Sequence, residues 1–135
     1  MTKIKEWDGM PLFQFGEFTL ASGKISKFKL ECDAIAPEEW HSLGRIALSI
    51  LPPFDYVIGV PRGGIAWANI MKHYVQPSTN RILFVDDVWT TGGSMQAEIG
   101  RYALEGRPWH GLVLFARGPV PDNVTALFTL NTKLQ

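Results

Sequence analysis

The stretch that decides the fold runs from Ile82 to Ser94 and reads Ile-Leu-Phe-Val-Asp-Asp-Val-Trp-Thr-Thr-Gly-Gly-Ser. Its first four residues are apolar, which is typical of a strand that is buried on both faces. Two adjacent carboxylates follow at the end of this strand, and they can accept hydrogen bonds from vicinal hydroxyl groups. The turn after them is rich in hydroxyls and glycine, so it can present N–H groups to a phosphate at the start of a helix. A sugar phosphate would satisfy both halves of the stretch.

Apolar runs on both sides of this stretch predict further strands, and they alternate with helices. Strands are predicted over residues 56–60, 81–85 and 111–116, with a last, edge strand over 124–130. Helical spacing predicts one helix over residues 37–51, a second over 65–75, and a third with Met95, Ile99, Tyr102 and Ala103 on one face. This alternation predicts an α/β fold with a central, mostly parallel sheet flanked by helices. The loops that follow the strands should then open onto one cleft, where such sheets bind ligands.

The amino-terminal part of the chain has a different pattern. Polar and apolar residues alternate on both sides of a turn at 21–24, which predicts a β-hairpin over residues 17–30. A length of 135 residues favours a single domain over 1–135. We divide it into a hairpin region over 1–36 and a core over 37–135.

Composition excludes several classes of protein. Lys plus Arg equals Asp plus Glu, at 13 each, which argues against a nucleic-acid or membrane-surface binder. The single cysteine, Cys32, excludes an internal disulfide framework and a cysteine-based zinc site, and it favours a cytoplasmic setting. No signal peptide is evident, and no apolar run approaches the ~20 residues of a membrane span. The three histidines, His41, His73 and His110, show no metal-ligand spacing.

The stretch from Ile82 to Ser94 resembles the phosphoribosyl-diphosphate (PRPP) signature of type I phosphoribosyltransferases. The resemblance implies that Asp86 and Asp87 face the 2′- and 3′-hydroxyls of ribose. It implies that the 5′-phosphate is held by the turn Thr90, Thr91, Gly92, Gly93 and Ser94. The plainer alternative is a strand that ends in a solvated acid pair before a capped helix.

A second loop, which follows the strand over 56–60, resembles the diphosphate-binding loop of the same family. It consists of Pro61, Arg62, Gly63 and Gly64, and Arg62 suits the role because its planar guanidinium matches phosphate oxygens. An ordinary surface turn is the alternative for this string. The resemblance implies Asp86, Asp87 and Arg62 as catalytic residues. It also implies Mg²⁺ bound with PRPP, with few direct protein ligands and with Asp86 and Asp87 acting through water.

Residues 15–30 resemble the amino-terminal hairpin of orotate phosphoribosyltransferases, which forms a hood over the base. The resemblance implies base-binding roles for Ser22, Lys24, Ser26 and Phe28, and for Arg117, which would pair with a substrate carboxylate. Two positions depart from the pattern: Lys27 replaces a proline, and Ala116 replaces an acid. Thr90 stands where hypoxanthine–guanine enzymes carry an aspartate, which disfavours that subclass. Solvated lysines on a hairpin face, and an exposed arginine at a strand end, remain the alternatives.

One segment of the family pattern is absent between the second predicted helix and the PRPP strand. Family enzymes carry a long flexible loop there that closes over the active site, whereas this chain has the connector 76–80. The resemblance therefore supports two functions. One is a phosphoribosyltransferase of pyrimidine biosynthesis that binds Mg-PRPP and a base such as orotate. The other is a weak or inactive PRPP- or nucleotide-binding regulatory module. A homodimer is expected in either case, and Trp89 could stack on a ligand or pack under the loop.

Overall fold

The computed structural model describes residues 12–19, 25–102 and 104–130. The strands within these ranges are β1 (Phe13–Thr19), β2 (Ile25–Leu30), β3 (Tyr56–Gly59), β4 (Ile82–Trp89), β5 (Trp109–Ala116) and β6 (Val124–Thr129). The α-helices are α1 (Pro37–Leu48), α2 (Ile65–Met71) and α3 (Gly93–Ile99). Single 3₁₀ turns are present at Cys32–Ala34 and Lys72–Tyr74.

The central sheet has the strand order β3-β4-β5-β6, and every neighbouring pair is parallel. β4 and β5 lie in the middle, which explains their long apolar runs, because strands covered on both faces need apolar side chains on both. The predicted α/β fold with a parallel central sheet is therefore confirmed. β6 lies at one edge, as the sequence predicts.

Two apolar clusters cover the two faces of this sheet. In one cluster α2 contributes Trp67 and Met71, which lie among core residues of β3, β4 and β5 such as Leu83. In the other cluster α3 contributes Met95, which lies with Phe84 and Val113. Burying each such large side chain contributes about 1.5–3 kcal/mol to stability. The helices on both faces thus hold the ends of β3, β4 and β5 in fixed relative positions.

The boundaries of several elements differ from the prediction. β4 continues to Trp89 instead of ending at Val85, because Val88 and Trp89 still pair with β5, opposite Phe115 and Ala116. The acid pair therefore lies inside the strand. The predicted helices are also too long, since α1 ends at Leu48, α2 at Met71 and α3 at Ile99. The residues after α2 tighten into a 3₁₀ turn, a common form of helix end.

β1 and β2 pair antiparallel, from Phe13 opposite Leu30 to Thr19 opposite Ile25. The register shifts between Phe15 and Phe18. The predicted turn at 21–24 lies outside the described residues, so the hood over the base stays a prediction. Leu30 is buried in the same cluster as α2, which attaches the end of β2 to the core. Among the residues that the structure describes, no helix has the length and apolar character needed to cross a membrane.

Candidate functional site

A cavity of about 360 Å³ opens at the carboxyl ends of the central strands. Pro61 and Gly63 contribute to its wall from the loop after β3, and Arg117 contributes from the residue after β5. The end of β4 and the turn that follows form the middle of the wall, while Thr19 and Leu30 reach it from β1 and β2. The structure thus brings the three predicted loops to one cleft. The contributions of Thr19 and Leu30 were not predicted, because no motif marks them.

The acid pair lines this cavity. Asp86 is 7% exposed and Asp87 is half-buried. The N–H of Asp87 donates to Oδ1 of Asp86 at 2.8 Å, and the N–H of Val88 donates to Oδ1 of Asp87 at 2.8 Å. Burial, with smaller contributions from the hydrogen bond and charge of the Asp87 side chain, raises the pKa of Asp86 to about 8. A ligand that donates hydroxyls, or that brings a cation, would favour the ionised pair.

This raised pKa predicts a pH-dependent gain in stability for Asp86→Asn. The folded state holds Asp86 protonated, whereas the unfolded state loses this proton near the ordinary aspartate pKa. The stabilising effect of the bound proton is therefore full below the ordinary pKa and is lost as pH rises to about 8. Asparagine resembles the protonated acid and does not titrate. At pH 4 the variant and the natural protein should have nearly the same unfolding free energy. At pH 8 the unfolding free energy of the variant should be higher by about 2–4 kcal/mol. Urea unfolding at several pH values measures this difference, and a difference that does not change with pH would contradict the prediction.

The loop after β3 is packed tightly against β4. The N–H of Val60 donates to the carbonyl oxygen of Val85 at 2.8 Å, and the Pro61–Arg62 peptide bond is cis. A Cβ atom at Gly63 would lie 2.2 Å from Oδ2 of Asp87, and one at Gly64 would lie 2.0 Å from the carbonyl oxygen of Val85. Position 64 therefore requires glycine, because its neighbours are backbone atoms, whereas a side chain at position 63 would displace the Asp87 carboxylate. Arg62 is exposed and lies outside the cavity wall, so its role toward diphosphate stays a prediction.

The turn after β4 forms a further part of the cavity wall. Thr90, Gly92, Gly93 and Ser94 line the wall, whereas Thr91 is exposed and lies outside it. Gly92 has φ of +86°, a left-handed conformation that favours glycine. Its carbonyl oxygen accepts a hydrogen bond from the N–H of Gln96 at 2.9 Å, at the start of α3. Four of the five predicted phosphate-binding residues thus meet at the cavity, and phosphate binding stays a prediction.

Trp89 packs beneath this turn, which answers a question that the sequence leaves open. Its side chain is 6% exposed, and its Nε1–H donates to the carbonyl oxygen of Pro119 at 3.1 Å. Two ring carbons would lie 2.5 Å from a Cβ atom at Gly92. The ring therefore packs against the turn at Gly92, and the residue also lines the cavity.

Arg117 is 3% exposed and borders the cavity, and burial lowers the pKa of its guanidinium. Of the other predicted base-binding residues, Ser22 and Lys24 lie outside the described residues. Ser26 and Phe28 lie in β2, and the structure does not describe their side chains. Cys32 is buried near the acid pair, and burial together with the charge of Asp87 raises the pKa of its thiol. A neutral thiol is a poor nucleophile, which agrees with the absence of a nearby base in sequence.

The carboxylate oxygens at the cavity are of the kind that magnesium prefers. Within the described ranges, no group of three or more His, Cys, Asp and Glu side chains could hold a metal by itself. Asp86 and Asp87 supply hard carboxylate oxygens, which magnesium prefers. Magnesium usually keeps several waters and takes other ligands from substrate phosphates, so two carboxylates at a cavity wall suit it.

The parallel sheet, with an acid pair, a glycine-rich loop and a hydroxyl-rich turn at its carboxyl edge, is the type I phosphoribosyltransferase fold. The chain is similar to orotate phosphoribosyltransferases. It is 33% identical over 112 residues to the orotate phosphoribosyltransferase of Staphylothermus marinus, a match that takes in 63% of this chain. The match spans 55% of that relative, so it covers about half of the relative's length. No family model matches the chain.

Solved structures support the same fold. The orotate phosphoribosyltransferase of Aeropyrum pernix superposes with a TM-score of 0.71 at 22% identity, over 90% of this chain and 89% of that one. The enzyme of Mycobacterium tuberculosis, solved with Fe(III) dicitrate, gives a TM-score of 0.62 at 16% identity, over 87% of this chain and 89% of that one. At these identities the likeness establishes the fold.

Proposed function

We propose that this protein is a phosphoribosyltransferase of pyrimidine biosynthesis. It binds Mg-PRPP and transfers the phosphoribosyl group to a pyrimidine-like base such as orotate, with release of diphosphate. The observation that carries the proposal is the convergence of the acid pair, the glycine loop and the hydroxyl-rich turn on one cavity. The similarity to orotate phosphoribosyltransferases supports it independently.

The acid pair is suited to the ribose part of the ligand. Carboxylates accept hydrogen bonds from vicinal hydroxyls, and charged hydrogen bonds of this kind contribute about 1.5–3 kcal/mol each. Ligand binding would shift Asp86 toward its ionised form, because hydroxyl donors and the ligand's cation stabilise the carboxylate. Asp86 and Asp87 would thus orient the sugar.

The two loops are suited to the charged ends of PRPP. The turn that includes Thr90, Gly92, Gly93 and Ser94 would hold the 5′-phosphate through backbone N–H groups and hydroxyls. The loop that includes Pro61, Gly63 and Gly64 allows close approach of the diphosphate, and Arg62 would supply a cation from its edge. Magnesium bound with PRPP would neutralise charge that develops on the leaving diphosphate.

The reaction requires one bond to form as another breaks. The C1–O bond to diphosphate breaks with the electron pair leaving on oxygen, and a base nitrogen supplies the pair for the new C1–N bond. The proton on that nitrogen is lost, and the released diphosphate can accept it. The transition state has oxocarbenium character, so the nearby carboxylates stabilise it electrostatically. Arg117 would fix the base by pairing with its carboxylate, which favours orotate over bases without one.

A second function is favoured by the segment that joins the 3₁₀ turn at Lys72–Tyr74 to β4. Residues 75–81 are described throughout, and they form neither helix nor strand. A short connector leaves the cavity less shielded from water, which competes with the base. The protein would then bind PRPP or a nucleotide as a regulatory module, with little or no turnover.

A homodimer would offer a partner surface to shield the cavity, and we propose this assembly for either function. Sedimentation at several protein concentrations measures it.

Diphosphate release separates the two functions. We expect Mg-PRPP with orotate to release diphosphate, and uracil and purines to give at least about tenfold less, because they lack the carboxylate that Arg117 would bind. Arg117→Gln should lower the rate with orotate by about 10- to 100-fold. Calorimetric binding of Mg-PRPP without any base-dependent release would support the regulatory module. Absence of Mg-PRPP binding would reject both functions.

A further inference from the structure

Trp89 joins a turn that lines the cavity to the loop that follows Arg117, and the proposed reaction does not by itself require this residue. The first segment is the turn of residues 90–94, called here the phosphate turn. The second is the loop of residues 118–123, called here the β5–β6 loop. The indole ring supports the phosphate turn at Gly92, and its Nε1–H donates to the carbonyl oxygen of Pro119 in the β5–β6 loop.

Backbone contacts bring the same two segments together next to this side chain. The N–H of Arg117 donates to the carbonyl oxygen of Trp89 at 2.8 Å. A Cβ atom at Gly118 would lie 3.1 Å from the carbonyl oxygen of Thr90, so the loop and the turn are in close approach there. Arg117 and the two residues that follow it are therefore each in contact with Trp89 or Thr90.

The indole combines two properties that this position uses. Its wide, flat ring contacts Gly92, and its single N–H donates a hydrogen bond to the carbonyl oxygen of Pro119. Phenylalanine would keep most of the ring contact and lose the donor. An aliphatic residue would lose both.

We propose that Trp89 is a positioning residue that couples the phosphate turn to the β5–β6 loop, so that a phosphate held by the turn orders the loop beside Arg117. This inference rests on the proposed function, because it takes the turn as the phosphate end of the cavity. Its consequence is that binding of the sugar phosphate prepares the base end of the cavity. The base would then meet a loop that is already ordered.

Amide exchange measured by NMR tests this coupling with ribose 5-phosphate as the probe. In the natural protein, saturating ribose 5-phosphate should slow exchange of the Gly118 and Val120 amides by at least about fivefold. In Trp89→Phe the same amides should slow by less than about twofold, while the amides of the phosphate turn remain protected. Affinity for the probe should fall by about 2- to 10-fold, because one hydrogen bond is lost.

Trp109→Phe is the matched control. Trp109 is the first residue of β5, so it lies at the end of this strand away from the cavity. Its ring contacts that of Phe84, with centroids 5.9 Å apart. This variant should behave as the natural protein does in both measurements. Equal protection of Gly118 and Val120 in the natural protein and in Trp89→Phe would overturn the coupling.

The natural protein alone also decides the question, whether or not Trp89→Phe folds. Ribose 5-phosphate that binds and leaves the Gly118 and Val120 amides unprotected would overturn the inference while the proposed function stands. If neither ribose 5-phosphate nor Mg-PRPP binds, the proposed function is rejected, and the inference is rejected with it.

Discussion

Replacing Asp86 and Asp87 together by asparagine should weaken binding of Mg-PRPP by at least about 100-fold. The variant lacks the two carboxylates that, under the proposed function, accept hydrogen bonds from the ribose hydroxyls, at about 1.5–3 kcal/mol each. The loss is specific to binding, because asparagine preserves the shape of aspartate and resembles the protonated form of Asp86 that burial favours. Calorimetry with Mg-PRPP measures it, and circular dichroism verifies that the variant is folded.

Asp122→Asn provides the matched control for the acid pair. Asp122 is exposed and lies two residues before the start of β6, at the amino-terminal ends of the strands, whereas the cavity lies at their carboxyl ends. This variant should bind Mg-PRPP within about twofold of the natural protein, since surface changes have small effects. An affinity that stays unchanged in the double variant would exclude the acid pair from ribose binding and remove the main support for the proposed function.

Gly64→Ala should have the largest effect on stability among single alanine variants of the site. The new Cβ atom would lie 2.0 Å from the carbonyl oxygen of Val85 and 2.9 Å from the Cα atom of Asp86. Both are backbone atoms of the central strand, so neither can move without disturbing the pairing of β3 with β4. We expect a loss of about 3 kcal/mol or more in unfolding free energy, measured by urea unfolding.

Two further glycines serve as comparisons for this variant. Gly63→Ala would place Cβ against the Asp87 side chain, 2.2 Å from Oδ2, and a side chain can turn away. It should therefore weaken Mg-PRPP binding while costing less stability than Gly64→Ala. Gly100→Ala meets no atom closer than 3.5 Å at the end of α3 and should be near neutral. Equal stability of all three variants would show that the loop after β3 is not packed against β4 as described.

The parallel sheet could be predicted from the sequence because its signals are local. Continuous apolar runs such as residues 82–85 indicate strands that are covered on both faces, and helical spacing between them indicates crossover helices. The boundaries were less predictable. Asp86 and Asp87 look like a strand end, but pairing of Val88 and Trp89 with β5 carries the strand past them. Pairing with a neighbouring strand is a tertiary effect that the polar residues do not reveal.

The candidate site, like the sheet, could be predicted from the sequence only in part. Its glycines and acids are marked by residue type and spacing, so their meeting at one cavity follows from the topology. The placement of Trp89 did not follow, because its hydrogen-bond partner is a backbone oxygen 30 residues later in the chain. The contribution of Thr19 and Leu30 depends on how β1 and β2 pack against the core, and no sequence motif encodes that contact.

The burial of Asp86 has a consequence for the life of the protein in a cell. A ligand that binds only the folded state stabilises it by RT ln(1 + [L]/Kd), and a domain is stable by only about 5–15 kcal/mol. Near neutral pH the raised pKa of Asp86 lowers the free energy of unfolding, and the binding free energy of a ligand adds to it. Proteases act on the unfolded fraction, so under the proposed function the rate at which this protein is degraded would fall as the concentration of the proposed sugar phosphate rises. The abundance of the protein would thereby depend on the concentration of that ligand.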